Sequence, residues 1–223
     1  MTSQEFVDYL YRKYYPELEG PIIAVRKSLA ELDPQSHAFV SLMQRQAKRE
    51  LRYAIAFTKA LLQYPELGHH ERAEVAGQAA DEYKHYALIK DYLRGRGADV
   101  EDIPADAYDA YFDQFLTGGV EAFRLCNIAE KSAVAFITHL STASKDPEVR
   151  RLAAEIIGDE EGHGDRVKAK LAKVAGNESR RGFLERHFVQ SWASQKEGVF
   201  LEAKELGVDL EKVLESFRRS EGR

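Results

Sequence analysis

Two five-residue segments, Asp81-Glu82-Tyr83-Lys84-His85 and Asp159-Glu160-Glu161-Gly162-His163, share the pattern D-E-x-x-H. Residues three apart lie on one face of a helix. Glu82 with His85, and Glu160 with His163, therefore each offer a carboxylate oxygen and an imidazole nitrogen to a common ion. With 7 His in 223 residues, an isolated E-x-x-H arises about once by chance. Glu66-Leu67-Gly68-His69 is such a match, set on Pro65 and Gly68 at a helix boundary. Requiring the preceding Asp lowers the chance expectation to about 0.04 per chain, so a repeated D-E-x-x-H is a signal. One cysteine excludes a thiolate site and leaves carboxylate and imidazole to hold any metal.

These residues need helices to position them. Pro16, Pro21, Pro34, Pro65, Pro104 and Pro147 are separated by stretches rich in Ala, Leu, Glu, Lys, Arg and Gln, which favour helix. No segment keeps the apolar–polar alternation of a strand for more than a few residues. The expectation is an all-α fold with helices at about 3–15, 20–32, 36–64, 70–95, 119–144, 147–175 and 178–206, and shorter ones at about 106–116 and 209–220. Tight turns join the first and second long helices and the third and fourth; about 24 residues join the second and third. That is the connection pattern of a four-helix bundle with one long crossover. The chain reads as a single domain over 1–223, with a core bundle at about 36–176 and additional helices at 1–35 and 177–223.

In an antiparallel hairpin, residues equidistant from the turn share a height. Glu50 and Glu82 are centred on residue 66, within the Pro65–Gly68 turn, and Glu130 and Glu160 on residue 145, within Ser144–Pro147. Each E-x-x-H thus faces a glutamate of its hairpin partner. All four glutamates fall on apolar stripes, where desolvation is costly unless the carboxylates are paired or metal-bound. Four carboxylates and two imidazoles suit two ions of the iron or manganese kind.

The order E, D-E-x-x-H, E, D-E-x-x-H on four helices resembles the ferritin-like di-iron carboxylate superfamily, over about residues 36–176. The resemblance implies two Fe ions, with Mn the alternative, held by Glu50, Glu82, His85, Glu130, Glu160 and His163. It makes Glu50 and Glu130 terminal ligands and Glu82 and Glu160 bridging ones. Asp81 and Asp159 become acceptors for the imidazole N–H groups, orienting the ligands.

Within that resemblance the expected function is a non-haem di-iron oxidase or oxygenase that activates dioxygen, with electrons from an external donor, to oxidise a small, largely apolar organic substrate. The ligand stripes carry Phe57, Phe123, Ile137, Ile156 and Val167, with Ala54, Ala79 and Ala133 leaving room beside the metals. Gly158, Gly162 and Gly164 loosen the helix around the second motif. The alternatives are a ferroxidase, iron-storage or peroxide-scavenging protein and a non-catalytic metal-binding scaffold. A formal charge of -5 argues against a nucleic-acid partner. The longest apolar run, Ala133 to Ile137, is far short of a membrane span, and Met1 to Tyr15 is too polar for a signal peptide, so a cytoplasmic location is expected. The tyrosines at 9, 11, 14 and 15 suit cap packing or a homodimer interface.

Overall fold

The computed structural model describes residues 1–100, 116, 118–125, 128, 130–160 and 163–222; for residues 130, 131 and 163–166 it describes the backbone alone. Among the described residues every regular element is helical. The expected helix at 106–116 lies, but for its last residue, outside them. Two units pack separately, residues 35–124 and residues 1–34 with 125–223.

In the first unit, helices α3 (His37–Gln63) and α4 (His69–Gly95) form one long hairpin, followed by the short α5 (Gly119–Arg124). Ser36 caps α3, its hydroxyl accepting from the Phe39 N–H at 3.1 Å, and so supplies an acceptor to a helix start whose first N–H groups lack one. The α3 stripe Phe39, Leu42, Met43, Ala47, Ala54, Phe57 and Ala60 is buried, as are Val75, Ala79, Ile89 and Leu93 of α4. The turn is tied by Arg72, whose guanidinium donates to the carbonyls of Leu61 (2.7 Å), Leu67 (3.1 Å) and Tyr64 (3.2 Å). One side chain of α4 thus satisfies carbonyls that the end of α3 leaves open, fixing where the two helices stand along each other. Arg124 of α5 grips Glu71 through two bonds, at 2.8 and 2.9 Å.

The second unit holds α1 (Ser3–Tyr14), α2 (Gly20–Ala30), α6 (Glu130–Ala143), α7 (Pro147–Glu160), α8 (His163–Ala175), α9 (Arg181–Glu205) and α10 (Leu210–Ser220). Helices α6 and α7 form its hairpin; α2 lies against α6, α9 and α10, and α1 against α8. The tyrosines of α1 are used within the chain: Tyr11 meets Phe188 edge-on at 5.0 Å and the Tyr14 hydroxyl donates to Glu185 at 2.7 Å. Gly20 allows the Phe217 ring of α10 to sit against the backbone, since a Cβ there would lie 2.4 Å from the ring.

Two sequence expectations are corrected. The break at Pro16 is instead a π-helical turn, Tyr15–Glu19, running from α1 into α2; a proline near the start of a helical segment removes no donor that the segment needs. The third long helix, expected at 119–144, comes as α5 and α6, with Leu125 and Ile128 in turn geometry between them.

Candidate metal centre

The hairpin of α3 and α4 brings together Glu50, Glu82 and His85, and each offers a ligand atom within 4.8 Å of the others. The register follows from the turn, because Glu50 and Glu82 stand equally far from it. The i, i+3 spacing then sets His85 one turn along the face that carries Glu82. His85 Nδ1 lies 3.9 Å from Glu50 Oε2 and 3.8 Å from Glu82 Oε2. Those separations exceed a hydrogen bond and match two donors on one ion at about 2.1 Å from each, which stand about 3–4 Å apart. The residues are 6%, 5% and 0% exposed respectively.

Two carboxylates converging on one imidazole in a buried place are costly to desolvate. Two oxygens and one nitrogen fit a divalent first-row cation of the hard-to-borderline kind, and the cost is offset when such a cation binds.

Behind Glu50 stand two further buried residues of α3 that the sequence reading missed. Gln46 donates through Nε2 to Glu50 Oε1, and Arg49 donates to Gln46 Oε1 through Nε at 3.1 Å and Nη2 at 2.6 Å. Spacing carried a signal for one of them: Gln46 is one turn before Glu50 and so on its stripe.

Asp81 lies half-buried on α4, next to Glu82. In the other hairpin, Asp159 and Glu160 are half-buried at the end of α7 that lies away from the turn, and Glu130 opens α6 at the same end. The side chains of Glu130 and His163 lie outside the described residues, as do Glu161 and Gly162 entirely. The structure therefore assembles the first three of the six expected ligands, and locates Glu130 and His163 by backbone. Of the apolar residues expected beside the metals, Phe57, Ala54, Ala79, Phe123, Ile137 and Ile156 are buried, whereas Ala133 and Val167 are only half-buried; Phe57 meets Phe123 edge-on at 6.2 Å.

Gly158 lies on α7 two residues before Glu160, and a Cβ built there meets nothing within 4 Å. Close packing therefore does not require this glycine. Gly158→Ala is expected to raise the unfolding free energy by about 0.5–1 kcal/mol, the helix cost of glycine. A urea titration showing no gain or a loss would contradict this.

No family model, curated protein or solved structure matches the chain. Among the described residues no helix is long and apolar enough to cross a membrane. Among its described residues the chain is thus all-helical, with a buried Glu-Glu-His cluster, on Glu50, Glu82 and His85, that can hold a metal ion.

Proposed function

We propose that the chain is a ferritin-like di-iron oxidase or oxygenase, which uses dioxygen and an external electron donor to oxidise a small, largely apolar organic molecule. The observation that carries the reading is the buried Glu50–Glu82–His85 cluster, built from one D-E-x-x-H and a glutamate at equal height on the neighbouring helix. The same sequence pattern recurs at Glu130 with Asp159 to His163. In this reading each of the two D-E-x-x-H hairpins offers three ligands, Glu50, Glu82 and His85 from one and Glu130, Glu160 and His163 from the other.

Bound iron would supply a redox-active Lewis acid for dioxygen. The chain's own groups do the rest. Glu50, Glu82 and His85 would hold the cation on helices whose stripes also bury Ala54, Phe57 and Ala79, an apolar setting that favours an apolar substrate over a hydrated one. Glu160 supplies a half-buried carboxylate at the far end of the second hairpin.

The test is to add excess ferrous iron in air and count the iron that stays soluble with the protein. The oxidase reading expects retention to stall near two ions per chain, and oxidation kinetics to change when a small apolar ligand is added. Retention of hundreds per assembly would establish storage instead. Fewer than about 0.3 ions per chain after anaerobic reconstitution would remove the metal centre altogether.

A further inference from the structure

The bonds behind Glu50 specify more than a ligand list. A guanidinium has donors and no acceptor, so the two bonds from Arg49 to a single oxygen of Gln46 settle which way that amide faces. Oε1 is turned to Arg49, and Nε2 is turned to Glu50 Oε1. The other oxygen of Glu50, Oε2, is the one that faces His85 Nδ1 at 3.9 Å. All three residues are buried, where a charged donor polarises the amide and strengthens the bond that the amide makes in turn.

We propose that Gln46, locked by Arg49, is a positioning residue that makes Glu50 a one-oxygen metal ligand, with Oε1 retained as a hydrogen-bond acceptor and Oε2 aimed at the cation. The proposal rests on the metal-centre reading above and goes beyond it by assigning two residues outside both D-E-x-x-H segments. A glutamate's terminal torsion is broad and nearly free. Without an anchor the carboxylate turns and can bind a cation through one oxygen or two, which changes the coordination number. Gln46 removes that freedom, so the position beside Glu50 stays open to water or to a reactant. Sequence distance supports a dedicated unit: Gln46, Arg49 and Glu50 lie within about 1.1 turns of a single helix, so the network forms with α3 itself.

Cobalt(II) is the probe, because its visible ligand-field absorption weakens as coordination rises from four towards six. Metal-free full-length chain is titrated with cobalt(II) in the wild type and in Glu50→Ala, Gln46→Met, Arg49→Met and Arg49→Lys. The expected result is a saturable band in the wild type that is lost in Glu50→Ala. Gln46→Met is expected to bind 10–100-fold more weakly, about the cost of losing a residue that supports a ligand, with a weaker and shifted band. Arg49→Met, which leaves Gln46 in place but frees its amide to turn, should move the band the same way and covers the case in which Gln46→Met does not fold. Arg49→Lys, which keeps a donor for Gln46 Oε1, should recover the wild-type band. A purely structural role would change melting and leave the band alone. If Glu50→Ala loses cobalt while folded Gln46→Met or Arg49→Met shows the wild-type band and affinity, the positioning role is overturned and the metal centre stands. If the wild type takes up no cobalt, or Glu50→Ala binds as the wild type does, the metal-centre reading fails and this proposal fails with it.

Discussion

Glu82→Leu is expected to abolish cation binding at the Glu50–Glu82–His85 cluster and, in the same protein, to raise the melting temperature of the metal-free form. The two effects have one cause. Glu82 is a buried carboxylate whose Oε2 stands 3.8 Å from His85 Nδ1 while Glu50 approaches the same nitrogen from the other helix. Without a cation, the fold bears the cost of burying two carboxylates side by side. Leucine at 82 removes one charge and adds apolar surface to a stripe that already buries Val75, Ala79, Ile89 and Leu93. The charge left on Glu50 is still balanced through Gln46 and Arg49. A gain of about 1–2 kcal/mol follows, which for a chain of this length is roughly 3–6 °C. Cation affinity falls by at least about 100-fold, beyond the loss of a supporting residue, because a ligand itself is gone. In the wild type, a cation at 100 times its dissociation constant should add about 2.7 kcal/mol. Thermal melts of both proteins with and without cobalt(II) decide it. A variant that melts lower than the metal-free wild type, or that still gains stability on adding metal, would refute the assignment.

The Glu50–Glu82–His85 cluster was legible because a hairpin converts a sum of residue numbers into a height. Glu50 is recovered from Glu82 and the turn at residue 66 without any knowledge of packing, and Arg72 fixes that turn as the arithmetic requires. Helix type was equally open to reading from composition. What the sequence concealed falls into two kinds. Gln46 and Arg49 are polar residues of a kind usually found on solvated faces, so neither announces burial; only the shared stripe of Gln46 and Glu50 hinted at it. The interruption between α5 and α6 had no marker either, since no proline or glycine lies between Val120 and Ile137. Pro16 misled in the opposite sense, reading as a stop where the chain continues through a π-helical turn.

The second buried charge cluster predicts the opposite response to substitution, and the contrast identifies which of the two is a cation site. Arg26 of α2 and Glu202 of α9 stand 3.5 Å apart with side-chain exposures of 3% and 1%, and the guanidinium lies 5.7 Å from the centre of the Phe136 ring. Here opposite charges meet, so the cluster needs no ion, whereas at Glu50 and Glu82 like charges meet on an imidazole. Arg26→Met leaves the Glu202 carboxylate buried against α2 without its guanidinium and is expected to cost about 3–5 kcal/mol, or roughly 10 °C in melting temperature. Glu202→Leu alone should cost a similar amount by stranding Arg26. The double variant Arg26→Met with Glu202→Leu places apolar side chains of similar volume in the same space, and is expected to recover to within about 1 kcal/mol of the wild type. Urea titrations of the four proteins form a complete cycle, and the coupling should be several kcal/mol, far above the about 0.5 kcal/mol of independent sites. Additive losses would mean that each residue is held by other partners and that the pair is incidental. Added cobalt(II) should leave this coupling unchanged, since the cycle removes a charge pair that is already neutral.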